Sequence, residues 1–196
     1  MTARRKGPGS TTPADRSRVA VLGALSVEPM TGYELRRNIE TTIGHFWRES
    51  FGQIYPSLAS LEAERLITSS PAAREGSRRY RITATGRRRL RDWLVQLGPT
   101  APPRNPLLLQ LFFGRQLGDE HCRNLLLTER DRACAMLDTL TAIDHEVRTE
   151  AGYEADRPYW LLTIDHGRRT AQAVVEWADA ALAALDTPRG VLRSHP

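Results

Sequence analysis

The sequence predicts a mainly α-helical chain with one small β-hairpin, divided into two parts. Apolar residues recur at helical spacing through most of the 196 residues, the alternation typical of strands is confined to about 66–82, and prolines 99, 102, 103 and 106 crowd into one short stretch. The length suits one sizeable core or two small ones. The expected organisation is a flexible basic arm (1–16), a first domain (17–97), a Pro-rich linker (98–106), a helical domain (107–187) and a short tail (188–196).

In the first domain, Val19, Leu22 and Leu25 mark a helix that Glu28-Pro29 ends. Thr31 followed by Glu34 is a capping box opening a second helix, with Leu35 and Ile39 on one face and Gly44 as its breaker. Ser50 and Gln53 repeat that box before a third helix, where Ile54, Leu58 and Leu61 fall at i, i+4 and i+7. Two strands over Leu66–Ser70 and Arg78–Ile82 follow, with Tyr80 and Ile82 inward and Arg79 and Arg81 outward. Thr83 or Thr85 caps a fourth helix with a stripe of Leu90, Trp93, Leu94 and Leu97.

Past the linker, Asn105-Pro106 opens a short apolar helix containing Phe112 and Phe113, which needs cover on most sides. Asp119 is expected to cap a long helix whose apolar stripe, among it Leu126, Met136, Leu140, Ile143 and Val147, keeps a heptad rhythm broken at Glu129. After the Gly152 turn, Leu161, Ile164, Val175 and Leu182 belong to a second such stripe, broken at Arg168. Two such helices should pack on each other and on a partner chain, so Leu126, Met136, Leu140, Ile143, Leu161, Ile164, Val175 and Leu182 are the candidate dimer contacts.

Charge separates the same two parts. Residues 1–100 hold 17 Lys or Arg against 9 Asp or Glu, leaving +8, and residues 101–196 hold 11 against 14, leaving −3. A basic first half suggests a polyanionic partner for that half alone. No apolar run approaches the roughly 20 residues of a membrane span, and no signal-like apolar stretch follows Arg4, Arg5 and Lys6, so a cytoplasmic location is expected.

Three helices and a two-stranded finger make the layout of a winged helix-turn-helix, in which the helix before the finger enters the DNA major groove. Gln53, Ser57, Ser60 and Glu64 line one stripe of that third helix. Gln pairs with adenine, Ser serves bases or phosphate, and the Tyr55 hydroxyl suits phosphate oxygens, while Glu64 is expected to turn away. Arg74, Arg78, Arg79 and Arg81 place cations on the wing for phosphate contacts. The alternatives are a polar stripe that is merely solvated, and a winged-helix adaptor whose basic wing meets an acidic protein. Arg87, Arg88, Arg89 and Arg91 read as the wet face of the fourth helix.

The run Val21-Leu-Gly-Ala-Leu25, with Thr31-Gly-Tyr-Glu-Leu35, Gly52-Gln-Ile-Tyr-Pro-Ser-Leu58, Leu61-Glu62, Arg65-Leu-Ile67 and Tyr80-Arg-Ile-Thr83 before Gly86, resembles the PadR family of bacterial transcriptional regulators. The likeness covers about 17–97, and Asn105-Pro106 and Tyr159–Gly167 resemble the family's C-terminal helical domain more loosely. The resemblance implies a homodimeric repressor that binds a pseudo-palindromic operator and is relieved by a small ligand. It also implies that Tyr33, Gln53, Tyr55 and Ser57 touch DNA from the helices, and Arg74, Arg78 and Arg79 from the wing.

His45, His121, His145, His166 and His195 form no i, i+4 pairs with one another or with Cys122 and Cys134, so no metal site is expected. No phosphate loop or nucleophile pattern appears, and neither a cofactor nor an enzymatic activity is expected. If a flat aromatic effector binds, Trp93, Phe112 and Phe113 are the first candidates to meet it.

Overall fold

The computed structural model describes residues 13–47, 51–72, 77–97 and 104–187. The proposed arm up to residue 12, the Ser50 cap, Arg74, the linker residues 98–103 and the tail lie outside the described residues. The chain falls into two compact units, divided between Ala101 and Pro102. Among the described residues no helix is long and apolar enough to cross a membrane.

The first unit is built on helix α1 (Pro13–Val27), which begins six residues before Val19, so residues 13–16, expected in the flexible arm, are helical. It supplies Val19, Ala20, Val21, Leu22 and Leu25 to the core, too many for one narrow face, because other elements cover it on several sides. Helix α2 (Gly32–Asn38) carries the expected capping box: the Glu34 amide donates to Thr31 Oγ1 at 3.2 Å, and the Thr31 amide donates to Glu34 Oε2 at 2.8 Å. Beyond Asn38 the helix widens into a π-turn over Ile39–Ile43 and stops at Gly44. A 3-10 turn (Phe51–Gln53) leads into α3 (Ile54–Ala63), whose Ile54, Leu58 and Leu61 are buried. Gln53 is itself the N-cap of α3 and its side chain makes no capping bond to that helix, while the expected box with Ser50 lies outside the described residues.

The sheet has three strands rather than two. Strands β2 (Ile67–Pro71) and β3 (Arg78–Ile82) form the expected antiparallel hairpin, and β1 (Met30–Thr31) pairs on the other edge of β3, giving the order β1-β3-β2. Two residues are too few for an alternating pattern to reveal, so β1 is visible only in its pairing of Met30 with Tyr80 and Thr31 with Arg79. Helix α4 (Ala84–Gln96) is capped by Thr83, whose Oγ1 accepts from the Gly86 amide at 3.0 Å. A side chain at position 86 would place its Cβ 2.1 Å from the Leu66 carbonyl oxygen, so glycine is what lets α4 start against β2. Leu90 and Trp93 are buried, but Leu94 is exposed: the buried face runs through Gly86, Leu90, Trp93 and Leu97, and Leu94 lies to its side.

In the second unit, Asn105 caps helix α5 (Pro106–Phe112) by accepting from the Leu108 amide at 3.2 Å. Helices α6 (Asp119–Thr149) and α7 (Arg157–Asp186) form a hairpin around Leu140, Val147 and Ile164, with Met136, Ile143, Trp160 and Leu161 packed against them. Gly118, with a φ of 86°, is the N-cap of α6, and Asp119 is its first helical residue rather than its cap. Arg157 closes the hairpin turn, donating to the Val147 carbonyl at 2.9 Å and to the Glu150 carbonyl. Towards the open end Arg130 pairs with Asp179 at 2.6 Å and Arg123 pairs with Asp186.

Helix α3 ends in a Schellman motif: the Leu66 amide donates to the Leu61 carbonyl and the Arg65 amide to the Glu62 carbonyl, both at 2.9 Å. This places Arg65 at φ 58°, the left-handed region that costs a non-glycine residue roughly 1–2 kcal/mol. Arg65→Gly is expected to stabilise the first unit by roughly 0.5–1 kcal/mol after the flexibility it adds to the unfolded chain. Slower hydrogen exchange at the buried Leu22 and Leu25 amides would show it, and faster exchange would contradict it.

Candidate nucleic-acid interface

Helices α2 and α3 meet at Gly32. A Cβ there would lie 2.8 Å from Tyr55 Cε1, so glycine lets the Tyr55 ring rest on the first turn of α2. The neighbouring Tyr33 is 69% exposed and Tyr55 is 59% exposed. Gln53, the N-cap of α3, and Ala59 within it are exposed, so the start of the helix turns Gln53, Tyr55, Pro56 and Ala59 outward while Ile54, Leu58 and Leu61 hold the opposite side in the core.

Ser57 is not part of that outward surface. It is only 5% exposed, because positions 54, 57, 58 and 61 together form the buried face of the helix. The proposed DNA contact through Ser57 is therefore withdrawn. Ser60 is half-buried and its hydroxyl donates to Glu64 Oε1 at 3.2 Å. Glu64 also receives the Arg18 guanidinium, which lies 4.9 Å from the centre of the Trp93 ring, so this carboxylate is turned back towards α1.

Carboxylates of the helix-turn-helix hold two of the wing arginines. Arg79 donates to the Pro29 carbonyl at 2.7 Å and to Glu34 Oε1 at 3.1 Å, while the other Glu34 oxygen caps α2. The bond from the Thr31 amide and the neighbouring Arg79 charge hold the Glu34 carboxyl below its ordinary pKa, with desolvation opposing them. A lowered carboxylate pKa stabilises the fold above its unfolded value, and this contribution fades as pH falls through the folded value. Arg78 donates through Nη2 to Glu62 Oε1 at 3.1 Å, and the Ser69 hydroxyl donates to the same oxygen at 2.5 Å. Arg81 is exposed and has no carboxylate partner among the described residues.

Trp93, proposed as an effector contact, is instead a core residue: it is 5% exposed, and a second guanidinium, from Arg89, lies 4.6 Å from its ring centre. Phe112 and Phe113 form an edge-to-face pair with ring centres 5.0 Å apart, and Phe112 is 82% exposed. Of the proposed dimer contacts, Leu140 and Ile164 are buried within the α6–α7 hairpin and Leu126 is buried within the second unit, so these three are not open to a partner. Met136, Ile143, Leu161, Val175 and Leu182 are half-buried on the same hairpin. The heptad stripes face each other because the two helices fold back on themselves. Exposed apolar side chains lie off the stripes, at Leu127, Tyr159, Leu162 and Trp177, and along α5 at Leu108 and Leu109. Tyr159 and Leu162 stand three apart, a spacing that was readable but hidden beside the stronger stripe.

Residues 21–92 match the model of the transcriptional regulator PadR-like family, and residues 103–186 match that of the virulence activator alpha C-terminal domain. A probable transcriptional regulator of Mycobacterium tuberculosis, Rv1176c, is 26% identical over 87% of this chain and 97% of its own length. The PadR-like transcriptional regulator BC1756 of Bacillus cereus aligns with a TM-score of 0.75 and 25% identity over 87% of this chain and 98% of its own. Bacillus subtilis PadR in complex with operator DNA aligns with a TM-score of 0.73 and 22% identity, covering 86% of this chain and 98% of its own, and its complex with p-coumaric acid aligns with 0.72 and 23%, covering 91% and 100%. Residues 21–92 thus carry a domain of the PadR-like transcriptional regulator type, and over both units the chain is similar to PadR-like regulators.

Proposed function

We propose that this regulator is a homodimeric, sequence-specific repressor acting in the cytoplasm on a pseudo-palindromic operator. The observation that carries the reading is the outward face of Gln53, Tyr55 and Tyr33, set by the buried side of α3 and flanked by the wing arginines Arg78 and Arg79. Gln53 offers a bidentate partner for adenine, the two tyrosine hydroxyls reach for phosphate oxygens, and Ser60 adds a hydroxyl at the edge of this face. Wing cations give affinity without reading sequence. The Bacillus subtilis relative solved with operator DNA supports this use of the fold.

Dimerisation is inferred from apolar surface that one chain leaves open. Helix α5 exposes Leu108, Leu109 and Phe112, with Phe113 just beyond it, and α7 exposes Tyr159 and Leu162. Surfaces of this kind mark association sites. A dimer presents two recognition helices about one DNA turn apart, roughly 34–36 Å, which is why a two-fold operator is proposed. A small aromatic effector is proposed as well, with the exposed Phe112–Phe113 pair as its remaining candidate contact; the relative's complex with p-coumaric acid supports this class of ligand. Such a ligand relieves repression only by binding more tightly to a dimer geometry that fits DNA less well.

Light scattering on the purified chain is expected to give twice the 22.0 kDa chain mass, and a mass of one chain would contradict the dimer. Fluorescence anisotropy with DNA from upstream of its own gene tests the interface. Gln53→Ala is expected to relax preference at particular bases by about 1–3 kcal/mol, and Arg78→Ala to weaken all DNA alike and lower the salt slope by about one unit. Unchanged operator affinity in both variants would contradict the assignment, and equal weak binding of the wild type to every sequence would favour an adaptor.

A further inference from the structure

The two wing arginines held by carboxylates are held differently, and the difference separates a structural clamp from an exchangeable one. Arg79 has two anchors, the Pro29 carbonyl and Glu34, and Glu34 spends its second oxygen on the cap of α2. Pulling Arg79 away would disturb the junction where β1 pairs with β3. Arg78 has a single end-on contact, from Nη2 to Glu62 Oε1, and its side chain is 58% exposed. If Arg78 leaves, Glu62 still accepts the Ser69 hydroxyl at 2.5 Å and keeps a hydrogen-bond partner.

We propose that Glu62 is an internal competitor of DNA phosphate for Arg78: in the free protein it holds the guanidinium, and on binding a phosphate takes its place. This rests on the reading of the wing as a DNA contact. An ion pair this exposed is weak, whereas a duplex presents one negative charge per roughly 1.7 Å of its axis, so phosphate wins the exchange and the lost pair appears as a modest deduction from affinity. Glu62 stands on the recognition helix and Arg78 on the middle strand of the wing, so the exchange releases the side-chain tie between these two elements as DNA is engaged.

The test is operator affinity at fixed salt for wild type, Glu62→Gln, Arg78→Ala and the double variant. Gln keeps an oxygen for Ser69 and removes the charge that competes with phosphate. Glu62→Gln is expected to tighten DNA binding about two- to fivefold, the span that an exposed ion pair allows. In the Arg78→Ala background the same change is expected to give less than half of that gain, because no guanidinium remains to be released. No gain from Glu62→Gln, or a full gain that persists without Arg78, overturns the exchange, the latter by showing that Glu62 merely repels DNA. Both of those outcomes leave the regulator reading standing so long as wild type prefers its operator. A wild type without that preference overturns the regulator reading and the exchange together.

Discussion

The rotation of α3 about its own axis is the constraint on which the rest of the first unit depends. Ile54, Ser57, Leu58 and Leu61 lie against α1 and the sheet, and turning the helix by one position would expose leucines to water at roughly 1.5–3 kcal/mol each. With that side fixed, the outward side chains follow from helical geometry: Gln53, Tyr55, Pro56 and Ala59 have no other direction to take. The interface is thus set by the core beneath it. Its exposed chemistry is sparse, and in the DNA-binding reading proposed above specificity at base edges falls mainly to Gln53.

Charge is arranged around this helix with the same economy. The polyanion that the basic half would meet is repelled by carboxylates, and Glu34, Glu62 and Glu64 all lie on the helix-turn-helix. Each is met by an arginine from outside that motif: Arg79 and Arg78 from the wing, Arg18 from α1. The pairs blunt the negative charge and tie the surrounding elements to the motif. The wing arginines therefore have roles within the protein that a count of basic residues does not reveal.

Much of this was legible in the sequence because it rests on local rules. The Thr31–Glu34 box, the Ile54–Leu58–Leu61 stripe, the hairpin alternation and the Asn105-Pro106 start each depend on residues close in the chain, and each is found in the structure. What escaped depends on distant partners. Ser57 lies between two apolar positions of the buried face, and a polar side chain gave no sign of being covered. Strand β1 exists only because β3 offers an edge, and the Arg78–Glu62 tie spans sixteen positions. Trp93 stood both in the apolar stripe of α4 and, by residue type, among the effector candidates, and the structure seals it into the core as the stripe indicated.

In the second unit the same logic divided one expectation in two. Heptad stripes predict that helices pair, but not whether the partner is the next helix or another chain, and here the hairpin consumes the most buried positions itself. The proposed association is therefore assigned to the open apolar side chains of α5 and α7. For the account as a whole, the most direct measurement is hydroxyl-radical labelling of the protein with and without its promoter DNA. Tyr33 and Tyr55 should lose reactivity when DNA is bound while Phe46, also exposed in the first unit, keeps its own; tyrosines as reactive in the complex as in the free protein would contradict it.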